Sequence, residues 1–290
     1  MKNPFKLALV QMHVEGGNKQ RNLQHAEELV AEAAAHGADI ALLPEAMDLG
    51  WTCPSSRTEA DPIPQGETFQ RLCAMARRYN IYLCSGLVEK AHDQVFNAAV
   101  IIDREGRLLI LHRKLNELSI GHECYAQGDR LNVCHTEFGT LGLMICADGS
   151  AKDQVLTRAL CYMGADVILS PSAWAVPSDH DNQKDPYGEV WREVYVPVAK
   201  EFSVWIMGVS NVGPIAAGPW AGRNCIGCSL VIGPDGQEIL QGPYGVNAEK
   251  ILYVDVSPVP RPARGGEWGE YLKARGKKQK HPILKGVVDA

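Results

Sequence analysis

Residues 38–44, Ala38-Asp39-Ile40-Ala41-Leu42-Leu43-Pro44 (ADIALLP), return in the second half of the chain as Ala165–Pro171 (ADVILSP). A short apolar run closed by proline reads as a strand buried on both faces, the kind found in parallel sheets. The surroundings repeat as well. Ahead of the first copy lie a strand, Lys6–Met12, and a helix, Asn22–Ala35, with Leu23, Ala26, Leu29, Val30 and Ala33 at helical spacing and Gly37 as its stop. Behind it come a helix over Glu67–Tyr79 and a strand over Ile81–Leu87. Strands over Asn97–Ile102 and Arg107–Leu111 then flank the turn Asp103-Arg104-Glu105-Gly106. The second copy follows a strand over Thr140–Cys146 and a helix over Lys152–Met163. It precedes a helix over Glu189–Phe202 and a strand over Val204–Val209. Strands over Cys228–Ile232 and Gln237–Leu240 flank a second turn, Gly233-Pro234-Asp235-Gly236, and Ile251–Val256 is a last strand.

Each half therefore reads β-α-β-α-β-β-β, with no clear linker between the halves. The fold class is α/β. Two facing sheets, each covered outside by helices, form a four-layer α-β-β-α sandwich with an internal pseudo-repeat. The rival, two doubly wound domains, is disfavoured because no G-x-G-x-x-G or P-loop follows any strand. The domain is expected over residues 1–257. Residues 258–290 form a basic tail, with eight Lys/Arg against three Asp/Glu, whereas the whole chain of 290 residues carries −5. That tail reads either as a solvated segment or as one that packs on an acidic surface of this subunit or its neighbour.

Composition narrows the class. Apolar residues make up 46% and charged residues 22%, an ordinary globular balance. The first apolar run, Leu7–Val10, is too short for a signal peptide or a spanning helix, so a soluble, cytoplasmic protein with no membrane partner is expected. Mild acidity argues against nucleic acid as a partner. Nine scattered cysteines read as thiols. Cys225 and Cys228 form a C-x-x-C, but it enters a strand and has no second ligand pair, and no histidine pair has ligand spacing. No metal and no cofactor are expected.

Functional groups in such sheets gather beyond the carboxyl ends of strands. Glu45, Lys114 and Cys146 stand at three such ends. A thiolate is a nucleophile, a carboxylate can take its proton, and an ammonium can favour the thiolate and hold an oxyanion. Together they make an inventory for acyl transfer, although each alone is an ordinary core, cap or surface residue.

The stretches ALLPEAMDLG, LLILHRKLNELSIGHECYAQGD and GLMICADGSAKD resemble the nitrilase superfamily of carbon–nitrogen hydrolases, from about Lys6 to Pro258. The resemblance implies the same sandwich and puts the family's Glu, Lys and Cys on Glu45, Lys114 and Cys146. A second family glutamate falls on Glu123, within ECYAQGD, with Glu117 as the alternative nearer to Lys114. C-A-D-G lacks the C-W-E of nitrile-cleaving members and stands closer to the C-D-D-G of aliphatic amidases, with Ala147 departing from it. By resemblance the Ala147 N–H is a second oxyanion donor and Trp174 a pocket wall. Trp51 reads first as an ordinary packed aromatic, and His112 and His122 as structural or rim residues. Pocket shape depends on loops around Trp51, Asp179–Tyr187 and Trp220. The implied function is cofactor-independent hydrolysis of a small amide through a thioester, in a homodimer or larger homo-oligomer. N-carbamoyl-amine hydrolysis, nitrile hydrolysis and a non-enzymatic scaffold role are the alternatives.

Overall fold

The computed structural model describes residues 2–260 and 267–276. The two echoed strands are tied to their neighbours by the same device. Asp39 donates its N–H to the Lys6 carbonyl (2.8 Å), and its carboxylate accepts the Lys6 N–H (3.0 Å). Asp166 treats Thr140 in the same way, at 2.8 Å in both directions. The next strand in each sheet then donates to the aspartate's own carbonyl, from Tyr82 in one case and Trp205 in the other. The Ala-Asp opening thus satisfies backbone groups where the ladder begins.

The first half runs β1 (Phe5–Gln11), α1 (Lys19–Ala35), β2 (Ile40–Leu42), α2 (Glu67–Tyr79), β3 (Tyr82–Ala91), β4 (Gln94–Ile102) and β5 (Leu108–Arg113). The second contains β6 (Val133–Thr136), β7 (Gly139–Leu143), α3 (Val155–Tyr162), β8 (Val167–Ser172), β9 (Ala175–Pro177), α4 (Glu189–Phe202) and β10 (Trp205–Ser210). It continues with β11 (Val212–Pro214), β12 (Arg223–Ile226), β13 (Leu230–Ile232), β14 (Glu238–Gln241) and β15 (Lys250–Val256). One sheet has the order β15-β1-β2-β3-β4-β5 and the other β6-β7-β8-β10-β13-β14. In both, three parallel strands are flanked by antiparallel ones.

Side-chain alternation separates the layers. Leu7, Leu9, Ile40 and Leu42 share a buried cluster with Leu141, Leu143, Val167 and Leu169 of the other sheet. Their alternates Ala8, Val10, Ala41 and Leu43 pack with Leu23, Ala26 and Val30 of α1 and with Phe69, Leu72 and Ala76 of α2. Leu160 of α3 and Val194, Tyr195 and Val198 of α4 cover the second sheet. The result is the α-β-β-α sandwich.

Several local expectations are corrected. The last strand, β15, joins the first sheet beside β1 rather than the half that precedes it. β6 and the small sheet β11-β12-β9 were not expected from the sequence. The helix expected from Lys152 begins as a separate turn, because Asp153 and Gln154 are left-handed (φ 56° and 51°). The strand expected from Cys228 starts at Leu230, since Cys228 itself has φ 59°. Of the tail, a helix, α5 (Glu267–Ala274), is described, and most of the basic residues expected there lie outside the described residues. No described helix is long and apolar enough to cross a membrane.

Candidate active site

Glu45 follows β2 and Pro44, and its N–H donates to the Ser172 carbonyl at the end of β8 (3.2 Å), so the two echoed strand ends meet. Gly86 of β3 permits this close approach: a Cβ there would lie 2.5 Å from the Glu45 Cα. Lys114 follows β5, with its N–H bonded to the Asn97 carbonyl of β4 (2.9 Å). Cys146 lies just beyond β7. The strand expected to reach it ends at Leu143, and Cys146 opens a 3₁₀ turn with φ 44°. A left-handed non-glycine residue costs about 1–2 kcal/mol, so the turn needs support.

Asp148 supplies that support. Its buried carboxylate accepts the N–H groups of Ile145 (2.9 Å), Leu115 (3.0 Å) and Asn116 (2.7 Å), and it meets His112 Nε2 at 2.7 Å. The loop after Lys114 and the turn at Cys146 are therefore fastened to one group. Burial pushes the Asp148 carboxyl up, but His112 and the backbone N–H groups outweigh it and hold it below the usual range. His112 is thus structural, and His122 is exposed.

Lys114 Nζ donates to Glu45 Oε1 (2.8 Å) and Glu117 Oε1 (3.1 Å), with all three side chains at most 2% exposed. Asn97 Nδ2 bridges the same carboxylates, reaching Glu45 Oε1 at 2.6 Å and Glu117 Oε2 at 3.0 Å. Burial raises the Glu45 carboxyl; Lys114 pulls it down only in part, and Glu117 raises it again. Burial alone would lower Lys114, yet the two carboxylates outweigh it and hold the ammonium above the ordinary lysine range. At Cys146, burial and then the Glu45 charge push the thiol well up, against Lys114 and a backbone hydrogen bond from Ala173. Burial thus favours the neutral thiol over the thiolate at Cys146.

The expectation for Glu123 is corrected by this geometry. Glu123 is exposed at the end of the 3₁₀ turn Ser119–Glu123, and its carbonyl accepts Arg57. Glu117 is the carboxylate beside Lys114. It fits there because Gly121 has no side chain; a Cβ would lie 2.6 Å from the Glu117 carboxyl. Asn97 was missed from the sequence. Its one signal was a lone amide inside the apolar run of β4.

Glu45, Lys114, Cys146 and Ala147 all line one cavity of about 140 Å³. Trp174 forms part of its wall, stacked on Trp191 with ring centroids 4.7 Å apart. Trp51, expected to be ordinary packing, also lines it, in edge contact with Trp220 at 4.9 Å. Tyr187 lines it too. The indole N–H groups of Trp51 and Trp174 are buried without a partner. Cys225 and Cys228 point into different apolar clusters, and no metal-binding group of side chains occurs among the described residues.

Residues 6–261 match the family model for carbon-nitrogen hydrolases. The chain belongs to the carbon-nitrogen hydrolase family. It is 33% identical over 177 residues to a nitrilase of Pyrococcus abyssi, which covers 59% of this chain and 66% of that relative. It is 30% identical over 180 residues to the omega-amidase NIT2 of Danio rerio, covering 59% and 64%. Both matches span just under two thirds of the relative. Nit3 of Saccharomyces cerevisiae, described as a member of branch 10 of the nitrilase superfamily, superposes with TM-score 0.75 at 22% identity over 96% of each chain. That likeness confirms the fold of this carbon-nitrogen hydrolase.

Proposed function

We propose that the chain hydrolyses a small amide to an acid and ammonia or an amine through a thioester on Cys146. One observation carries this reading: Cys146, held in a left-handed turn, shares a walled cavity with a lysine clamped between two buried carboxylates. Glu45, with its carboxyl raised by burial, takes the thiol proton as sulfur attacks the carbonyl carbon. Lys114 and the Ala147 N–H hold the oxyanion. Glu45 returns the proton to the leaving nitrogen as the C–N bond breaks. It then takes a proton from water, which attacks the thioester and releases the acid and the thiol. Glu117 and Asn97 fix Lys114 and Glu45, and Trp174 walls the acyl group.

The test is limiting iodoacetamide labelling with the site mapped, repeated with short amides and with carbamoyl compounds. Selective labelling of Cys146 that short amides block is expected, together with loss of ammonia release in Cys146→Ala. Labelling spread equally over Cys146 and the half-buried Cys124 and Cys134, or full turnover by Cys146→Ala, overturns the reading. The nine unbridged cysteines support a reducing compartment, the cytoplasm. Exposed Val155 and Tyr162 of α3, with Met163 just after it, support a homo-oligomer, which sedimentation tests.

A further inference from the structure

The geometry points to an uncharged, largely apolar acyl group as the substrate feature this cavity selects, with amides that carry a second, free carboxylate excluded. This inference rests on the amide-hydrolase reading above and concerns what lies beyond the scissile bond. The cavity, about 140 Å³, falls well below the several hundred Å³ of a drug-sized pocket, so it takes a short chain. Among the described residues that line it, Lys114 is the one cation. Its ammonium is already committed to Glu45 and Glu117 at 2.8 and 3.1 Å. Two carboxylates around one ammonium leave no positive excess, so an incoming anion meets neutral or negative charge.

The rest of the wall deepens the effect. Trp51, Trp174, Trp191, Trp220 and Val190 give it a low-polarity surface. A carboxylate moved there loses its hydration and finds no counter-ion, the costliest form of burial. Arg223 stands nearby, but its guanidinium lies over the Trp220 ring, 4.4 Å from the centroid, and it does not line the cavity.

Three amides of matched shape test this: succinamate, its neutral diamide succinamide, and 4-methylpentanamide, in which an isopropyl group replaces the carboxylate. Ammonia release gives kcat/KM for each with the full-length enzyme. Both neutral amides are expected to exceed succinamate by at least about 50-fold, against the tenfold-per-1.4 kcal/mol scale of binding differences. A smaller gap, or a preference for succinamate, overturns the charge selection and leaves amide hydrolysis standing. If none releases ammonia and intact mass shows no acyl group on Cys146, the amide reading itself fails and takes this one with it. Val190→Arg supplies the missing cation at a half-exposed lining position. It is expected to move the succinamate to 4-methylpentanamide ratio about tenfold toward succinamate. An unchanged ratio in a folded variant overturns the charge account.

Discussion

The two halves build equivalent corners, and only one of them is charged. Strand registers superpose Leu7 on Leu141 and Ile40 on Val167, and so place Glu45 opposite Ser172 and Cys146 opposite Met12. The following strands place Asn97 opposite Gly227. In the corner of the first half, Asn97 reaches Glu45 and Glu117. In the corner of the second, Gly227 yields its space to Gln11, since a Cβ there would lie 2.2 Å from Gln11 Nε2. Gln11 then donates to the carbonyls of Pro243 (2.9 Å) and Ala248 (2.6 Å) and accepts from the Ser229 N–H (3.1 Å) and hydroxyl (2.8 Å). One corner is a fully satisfied neutral hub. The other is an acid–base cluster facing a cavity. The fold repeats, and the charged cluster occurs once, where the end of β7 from one half meets the ends of β2 and β5 from the other.

The largest effect is expected from breaking the charged corner. Lys114→Met leaves Glu45 and Glu117 buried and facing each other without their counter-ion. Removing one partner of a buried ion pair costs about 3–5 kcal/mol, and urea unfolding measures it. Ammonia release should fall by at least about 10³-fold in the folded enzyme, because the proposed cycle also loses its oxyanion donor. A variant that keeps its activity would show that Lys114 serves folding alone.

Breaking the neutral corner should do the opposite. Gln11→Leu leaves the Ala248 carbonyl and the Ser229 N–H and hydroxyl without their partner, while the Pro243 carbonyl keeps the Cys228 N–H (3.2 Å). The expected loss is about 2–4 kcal/mol in urea, with kcat per folded molecule changed less than about twofold. Activity that collapses while stability holds would break the contrast between a structural and a chemical corner.

Much of this contrast is legible in the sequence, and the exceptions have physical causes. The helix over Glu67–Tyr79 emerges as expected because Phe69, Leu72, Cys73 and Ala76 share one buried face; left-handed Asn80 ends it, as Ser203 ends the helix over Glu189–Phe202. Glu45, Lys114 and Cys146 stand out because strand ends converge. The strands of the small sheet are three or four residues long, too short for any period to declare itself. Placement of β15 beside β1 is a pairing across nearly the whole chain, which no local pattern encodes. The exchange of Glu123 for Glu117 turned on a 3₁₀ turn and one missing Cβ at Gly121, details below the resolution of a motif.

A third prediction concerns how the Glu45 loop is held. Asp48 accepts the N–H groups of Leu49 (3.0 Å) and Val88 (3.1 Å), pinning the loop to β3. Burial raises its carboxyl from 3.8 to about 7, against those backbone bonds. A raised folded-state value means the folded protein binds more protons than the unfolded chain between about pH 4 and 7. Stability therefore falls as pH rises through that window, by at most about 1.4 kcal/mol per unit from this group. Asp48→Asn should flatten this slope in urea titrations at several pH values. A slope unchanged in the variant would assign the dependence to other groups.

The smallest effect sharpens the comparison most, because it exchanges one atom group between the corners. Asn97→Leu keeps the volume and removes the bridging amide, bringing the first corner toward its neutral counterpart. Hydrogen bonds to an ionised carboxylate favour that form, so their loss raises the Glu45 carboxyl further. In the proposed cycle Glu45 must be ionised to accept the thiol proton, so the acidic limb of kcat/KM should move up by about one pH unit, with kcat lower by about tenfold. Asn97→Asp adds a third carboxylate and should move that limb further in the same direction. A residue that served packing alone would lower folded yield or stability and leave the limb where it was; Asn97 then would belong with Gln11, among the groups that hold the fold rather than tune the proton.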